Sequence, residues 1–211
     1  MGAAMIIQGM IGKSRISRDG NRAQGGFSLI EVMISMAVLT VGMVSLLGVF
    51  GLAMASTQTS QQDMIARQLA DESYESIVTA RNTTQVNWDD IQNVGATDCT
   101  ITGATTCGIF PSGLRAIYNA GADGIYGTAD DSAAGEQTLQ DPGPDGVFGN
   151  SDDTYLPLTN FQRSISITGL TDANGNTFTS VRNVIITVQY VVPQTKTPKT
   201  YILSSYISQF N

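Results

Sequence analysis

Histidine is absent from this 211-residue chain, and cysteine occurs only twice. Without histidine, neither a Ser-His nor a Cys-His nucleophile pair can form. The two cysteines make no C-x-x-C motif, and two thiolates without histidine are a poor zinc or redox site. Acid pairs such as Asp130 and Asp131 suit glycoside cleavage less well than cation binding, because glycines space them within a loop. The sequence therefore predicts that the chain is not an enzyme.

Charge is missing from one long stretch, since no charged side chain lies between Glu31 and Asp63. Residues 32–55 are mostly apolar, and about 20 such residues in a helix cross a hydrocarbon core of roughly 30 Å. Four cations precede this stretch: Lys13, Arg15, Arg18 and Arg22. By the positive-inside rule the start of the chain lies in the cytoplasm and the rest outside it. We predict a single pass through a membrane with the head outside the cytoplasm.

Glu31 lies at the start of this apolar stretch, where a carboxylate is costly. The cost is on the order of 3 kcal/mol at the bilayer centre and less near an end, so such groups usually have a partner. A secretory signal peptide would have a shorter apolar region and an A-x-A-like site after it, whereas here Gly26 and Phe27 precede it. A plain signal-anchor helix, with Gly26 and Glu31 placed by chance, is the alternative.

Residues 26–32, with the sequence Gly-Phe-Ser-Leu-Ile-Glu-Val, resemble the recognition and methylation site of type IV pilins and type II secretion pseudopilins. The resemblance implies that prepilin peptidase cuts after Gly26 and N-methylates Phe27. It implies that Glu31 neutralises the N-terminal amine of a neighbouring subunit. Residues 1–26 would be a leader, and the partners would be prepilin peptidase, other pilin or pseudopilin subunits, the inner membrane and its assembly platform.

Basic residues are few, and removal of the leader makes the balance more acidic. The whole chain carries a net charge of −7, and without residues 1–26 it keeps 7 basic and 17 acidic side chains, a balance of −10. Nucleic-acid binding depends on cations that neutralise phosphates. We therefore expect no nucleic-acid partner.

The apolar stretch continues without proline into a polar region, which predicts one helix over residues 27–80. Residues 27–55 would be the transmembrane or filament-core half, and residues 56–80 the amphipathic half. Apolar residues at three- and four-residue spacing form one stripe on the outer half: Ile65, Ala66, Leu69, Ala70, Tyr74 and Ile77. This half is expected to pack against a globular head.

Residues 81–211 are predicted to form that head. Within residues 161–211, three segments enriched in Ile, Val, Tyr and Phe indicate strands, and residues 172–176 and 193–198 supply turns. The fold class is therefore α+β, a long helix packed on a C-terminal antiparallel sheet, as the pilin resemblance also implies. Cys99 and Cys107 are expected to form a disulfide outside the cytoplasm, which contributes about 2–3 kcal/mol by loop closure.

A duplicated acidic segment lies between the predicted helix and sheet. Residues 119–131 and 141–153 align at a constant offset of 22 residues, and each copy has glycine at its sixth position. Such regularity indicates that each copy is a structural unit. The spacing resembles the calcium loops of EF-hands, dockerins and thrombospondin type 3 repeats, in which oxygens at positions one, five and twelve and the carbonyl at seven surround the ion.

The resemblance assigns acids and carbonyls to about two Ca²⁺ sites. The first comprises Asn119, Asp123, Ile125, Asp130 and Asp131, and the second comprises Asp141, Asp145, Val147, Asp152 and Asp153. Position three is glycine and position twelve is aspartate instead of the usual glutamate, so we expect dissociation constants of about 0.1–1 mM. A solvated acidic repeat of Asx turns, without an ion, is the alternative interpretation.

Three functional classes follow. The first is a structural subunit of a type IV pilus or pilus-like filament, and a minor one, since residues 38–43 and 66–70 resemble minor pilin V and pseudopilin I. The second is a pseudopilin of a type II secretion system. The third is a calcium-dependent adhesive tip on a pilin stem. In each case the chain would pass from the inner membrane into a pilus or pseudopilus, in the first and third classes at the cell surface.

Overall fold

The computed structural model describes residues 25–97, 99, 105–192 and 196–210. The elements, in chain order, are α1 (Leu29–Asn82), a 3-10 helix (Trp88–Asp90), β1 (Arg115–Ala116), α2 (Asp131–Ala134), β2 (Thr138–Asp141), β3 (Thr154–Pro157), β4 (Phe161–Thr171), β5 (Thr177–Val191) and β6 (Pro198–Ser208). The chain divides into two compact units, Met1–Val49 and Phe50–Asn211.

The first unit contains the start of α1. The helix begins at Leu29, and the Ser28 carbonyl accepts hydrogen bonds from the backbone N–H groups of Glu31 (3.0 Å) and Val32 (3.2 Å). Among the described residues, α1 is the one helix long and apolar enough to cross a membrane, and none of its most apolar window is buried. The predicted single continuous helix is confirmed, and it fits membrane anchoring before assembly.

The second unit is built on a four-stranded antiparallel sheet in the order β1-β4-β5-β6. Buried residues recur at every second position along most of β4 and β5, and the residues between them are exposed or half-buried in β4 and half-buried in β5, as the period-two pattern of apolar residues requires. Between them, Asp172 accepts the backbone N–H groups of Asn174 and Asn176, and Gly175 adopts φ +87°. The predicted α+β class, the antiparallel sheet and this turn are confirmed.

The core of the second unit lies between the sheet and the outer half of α1. Four of the six predicted stripe residues are fully buried, and the other two, Ile65 and Tyr74, are half-buried against them. From the sheet, Ile165, Val184 and Ile186 complete the core. The stripe was predictable because helical periodicity alone identifies the buried face.

One feature of the head, a second small sheet, was not predicted. β2 and β3 form a separate two-stranded antiparallel sheet, whose four-residue strands are too short to show a pattern. The segment before β1 has little regular structure, and isolated bridges hold it, including Ala96 with Cys107. Cys99 and Cys107 form the expected disulfide, with a Cα–Cα distance of 5.9 Å.

Candidate functional site

The predicted processing and assembly residues lie together at the start of the first unit. The bond between Gly26 and Phe27 is in non-helical backbone just before α1, and Phe27 is 82% exposed. A protease needs extended, accessible backbone at the bond it cuts. The local structure around Gly26 therefore suits cleavage at this point.

Glu31 lies in the first turn of α1, with an exposed side chain. Negative charge is favoured at this end because the backbone N–H groups of the first turn are unpaired. No hydrogen bond or ion pair reaches its carboxylate from residues 25–97, 99, 105–192 or 196–210, although Ser35 donates to its backbone carbonyl (2.7 Å). The carboxylate is thus available to a partner from outside the chain.

The two acidic repeats each form a loop closed by antiparallel pairing. We call residues 119–131 the first acidic loop and residues 141–153 the second acidic loop. The first follows the bridge between Tyr118 and Glu136, and the second joins β2 to β3. The duplication in sequence is therefore a duplication of loop geometry.

Both loops use the same turn chemistry at equivalent positions. At position five, Asp123 accepts the N–H of Ile125 (2.8 Å), and Asp145 accepts the N–H of Val147 (2.9 Å). At position thirteen, Asp131 and Asp153 each accept the N–H of the glycine at position nine, both at 2.6 Å. The position-nine glycines have φ +94° and +90°, a conformation that other residues rarely adopt.

The glycine at position three, which departs from the calcium-loop pattern, has a steric reason. A Cβ at Gly121 would collide with the Asp130 carboxylate, and a Cβ at Gly143 would lie 2.7 Å from Asp152 oxygens. The aspartate at position twelve therefore occupies the space that a ligand side chain at position three would need. In both loops the glycine at position three leaves the space that the aspartate at position twelve fills.

The first acidic loop is anchored in the core. Ile125 is 1% exposed, and Asp131 is buried with an oxygen 3.9 Å from Arg163 of β4. Asp131 also accepts the N–H of Gly121 (3.1 Å). Burial raises the pKa of the Asp131 carboxyl, although the glycine N–H groups, Thr128 and Arg163 oppose this shift. A nearby cation would favour the ionised form of this buried acid.

Three acids of this loop converge. Asp123, Asp130 and Asp131 each offer an oxygen, and these oxygens all lie within 4.8 Å of one another. Calcium binds oxygens at about 2.3–2.6 Å, so ligands on opposite sides of the ion are roughly 5 Å apart. The three carboxylates therefore fit a hard cation. The Thr128 hydroxyl donates to Asp130 (2.6 Å) and holds its pKa below the ordinary value, which keeps this acid charged.

The other two predicted ligands of the first acidic loop make hydrogen bonds within the chain, Asn119 through its NH2 group and Ile125 through its carbonyl. The Asn119 amide donates to the carbonyls of Ala134 and Glu136, both at 3.4 Å. The Ile125 carbonyl accepts the Thr128 hydroxyl at 3.3 Å. Of the ligands predicted for this loop, the structure brings the carboxylates of Asp123, Asp130 and Asp131 together.

The second acidic loop differs from the first. Its position-ten residue is Asn150, whose amide donates to Asp145 at 2.7 Å, whereas position ten of the first loop is Thr128. The Asp153 carboxylate accepts a hydrogen bond from the Gln140 side-chain amide at 2.5 Å. The Asp141 carboxylate accepts one from the backbone N–H of Gly143 at 3.3 Å. Among the described residues, which include all of this loop, its acids form no cluster of three.

The two loops also differ in burial. Val147 and Phe148 of the second loop are 57% and 63% exposed, whereas the equivalent Ile125 is in the core. Sequence reasoning missed Arg163, which β4 carries to the first loop, and it overlooked the difference at position ten. The position-ten difference was visible in the aligned repeats.

Residues 21–47 match the family described as the prokaryotic N-terminal methylation motif. This motif marks type IV pilins and pseudopilins, and the long apolar helix followed by an antiparallel sheet agrees with it. The motif therefore supports a pilin- or pseudopilin-like subunit, and it implies processing by prepilin peptidase and assembly with other pilin subunits. No curated protein and no solved structure matches the chain significantly.

Proposed function

We propose that the chain is a minor structural subunit of a type IV pilus or pilus-like filament, cleaved after Gly26 and assembled through α1. The observation that carries this proposal is Glu31, a carboxylate with no partner among the described residues, at the start of a helix whose most apolar window is exposed. Lipid covers such a helix first, with the head in the periplasm. Neighbouring helices then cover it in the filament, where the methylated amine of the next subunit pairs with Glu31.

The N-terminus of the mature protein tests this proposal. Mass spectrometry of protein from cells with prepilin peptidase should show N-methyl-Phe27 as the first residue. Gly26→Val should remain uncut, because a branched side chain would stand next to the scissile bond. Gly25→Ala is the matched control and should be processed, since a Cβ at either glycine meets nothing within 4 Å in this chain. An uncut wild-type chain in those cells would refute the assignment.

The presence or absence of the subunit in fibres at the cell surface distinguishes a pilus from a secretion pseudopilus. We propose the pilus, so the subunit should be present in fibres sheared from the cell surface. Secretion of exoproteins should continue when the subunit is deleted. A secretion defect without surface fibres would instead assign the chain to a type II system.

We also propose that the first acidic loop binds Ca²⁺ through Asp123, Asp130 and Asp131. The convergence of these three carboxylates supports the proposal. When bound, the ion would neutralise the crowded acids and tie the loop to the head. The second acidic loop is the weaker candidate, because the Asn150 amide donates a hydrogen bond to the Asp145 carboxylate and so occupies an oxygen that would otherwise bind the cation. A calcium-stiffened loop on the head would suit adhesive contacts at a filament tip.

Thermal unfolding of the mature chain in detergent, followed by the fluorescence of its single tryptophan, tests calcium binding. With a dissociation constant of about 0.1–1 mM, roughly 10 mM Ca²⁺ should stabilise the head by about 1.4–2.7 kcal/mol. Asp123→Asn should remove this stabilisation, because the amide still accepts the position-seven N–H but has no charge. Asp145→Asn is the matched control and should keep it. Equal melting curves with Ca²⁺ and with chelator would leave only the ion-free Asx-turn repeat.

A further inference from the structure

β6 is the edge strand of the main sheet, and half of its backbone groups point away from β5. Gln209 donates its N–H to the Ser180 carbonyl at 2.8 Å, so residue 209 faces β5. The Ser208 carbonyl instead accepts a hydrogen bond from the Arg81 guanidinium at 2.7 Å, so the backbone groups of residue 208 point away from β5. Because an antiparallel ladder alternates, even-numbered residues of β6 present their N–H and C=O groups to the open edge.

Four of these outward residues have no backbone partner at the edge. No hydrogen bond from the described part of the chain reaches the outward backbone N–H and C=O groups of Thr200, Ile202, Ser204 and Tyr206. Ile202 and Tyr206 also expose 60% and 62% of their surface on the outer face of the sheet. The edge therefore combines unpaired backbone groups with exposed apolar side chains.

The opposite edge of the same sheet is closed. β1 pairs with β4 at Gln162 and Arg163. Beyond this point the Asn93 side chain takes the place of a strand, because it donates to the Ile165 carbonyl (2.7 Å) and accepts the Ile167 N–H (2.8 Å). An irregularity in register at Gly169 then ends the regular ladder. These are devices that prevent a second chain from adding to an edge.

β6 has no such device along its middle. Residues 200–210 contain no charged residue, no proline and no glycine. Soluble proteins usually protect long edge strands with these residues, because an open edge pairs with other chains. An edge that lacks protection, in a sheet whose other edge is protected, indicates that β6 is covered in the assembled state.

We propose that the edge of β6 binds an extended strand of a neighbouring filament subunit, which adds to the sheet by β-augmentation. This inference rests on the proposed function as a filament subunit. The occupant is an extended strand because only a backbone supplies alternating donors and acceptors at this spacing. It is uncharged where it faces residues 200–206, since β6 offers no counter-charge there.

The geometry of a filament argues against a second copy paired through its own β6. Antiparallel pairing of β6 with β6 is two-fold symmetric and closes into a dimer. A helical filament grows through head-to-tail contacts that do not close. The strand that covers β6 therefore comes from a different surface of the neighbouring subunit.

Amide hydrogen exchange, resolved by residue, tests the inference. Filaments that contain the chain are exchanged and then dissolved, and the amides are compared with those of the mature monomer in detergent. The amides of Ile202, Ser204 and Tyr206 should exchange at least about tenfold more slowly in the filament. Those of Leu203 and Ser205, which already pair with β5, should change little. Protection without this alternation would indicate side-chain packing and would overturn the proposal.

Other outcomes separate the two proposals. If the chain is in the filament and the even-numbered amides exchange as fast as in the monomer, the inference about β6 is wrong and the proposed function stands. If the chain never enters a filament, both are wrong. If the detergent-solubilised chain already forms a dimer that protects these amides, the occupant is a second copy and the filament neighbour is excluded.

Ser204→Lys adds a matched test, since an edge lysine hinders strand addition. Ser166→Lys is the control, because Ser166 and Ser204 flank Ile185 in the same row on the sheet. Ser204→Lys should lower the amount of chain in filaments on the order of tenfold, whereas Ser166→Lys should not. Equal melting temperatures of the two variants would show that both are folded. Equal incorporation of the two variants would contradict the proposal.

Discussion

Replacing Arg182 with methionine should lower the free energy of unfolding of the head by about 3–5 kcal/mol. Arg182 lies in β5, and only 2% of the residue is exposed. Its guanidinium lies 3.9 Å from an Asp89 oxygen and 4.4 Å from the centre of the Trp88 ring. It also donates to the carbonyls of Trp88 and Ile91, the latter at 3.1 Å.

The expected loss is large because of what the substitution leaves behind. Methionine fills much of the volume of arginine but donates no hydrogen bond. Asp89, itself 2% exposed, would lose the cation that faces it in the core, and breaking one side of a buried ion pair is strongly destabilising. Two buried carbonyls would also lose a donor, and each unsatisfied group costs roughly 1–3 kcal/mol.

Chemical denaturation of the mature chain in detergent, followed by circular dichroism, measures this loss. Arg67→Met is the control, because Arg67 is exposed and contacts the Tyr201 ring by a cation–π interaction at 5.4 Å. The control should lose less than about 1 kcal/mol. Adding Asp89→Leu to Arg182→Met should recover part of the loss, since it removes the buried carboxylate that faced Arg182. A loss below about 1 kcal/mol for Arg182→Met would show that the pair is not a structural link.

Arg182 also illustrates which parts of the fold were predictable from the sequence. The buried stripe of α1 and the alternation of β4 and β5 are local patterns, so their periods identified them. Arg182 and Arg163 occupy inward positions of strands, where the pattern predicts apolar residues. Their partners lie far away in sequence, in the 3-10 helix and in the first acidic loop, and no local pattern connects them.

The candidate sites also divide into those that a local sequence motif predicts and those that depend on tertiary structure. The processing motif around Gly26 and Glu31 lies within a few residues, so its recognition needed no tertiary structure. The two acidic loops looked equivalent in sequence, because their turn residues are the same. The amide of Asn150 distinguishes them at position ten, a difference that the aligned repeats did show, whereas the packing of Ile125 depends on three-dimensional neighbours. The open edge of β6 is likewise visible only once strand order is known.

Glu31→Gln should be processed normally yet be depleted from filaments by about 100-fold. The variant keeps the size and the hydrogen-bonding oxygen of glutamate but loses its charge. In the proposed filament the methylated amine of the neighbouring subunit would then remain in an apolar surrounding without its counter-ion. A charge in that setting costs on the order of 3 kcal/mol, which corresponds to roughly a 150-fold change in an equilibrium constant.

The amount of variant in sheared filaments, relative to its amount in the membrane, measures this depletion. Mass spectrometry of the membrane fraction should still show N-methyl-Phe27, so that any depletion reflects assembly and not cleavage. Ser35→Ala is the matched control, because Ser35 is an exposed polar residue one turn further along α1 and its hydroxyl donates to the Glu31 carbonyl. It should assemble at the wild-type level. Normal incorporation of Glu31→Gln would mean that the amine has another partner, and the charge pair would no longer explain why an acid stands at the start of this helix.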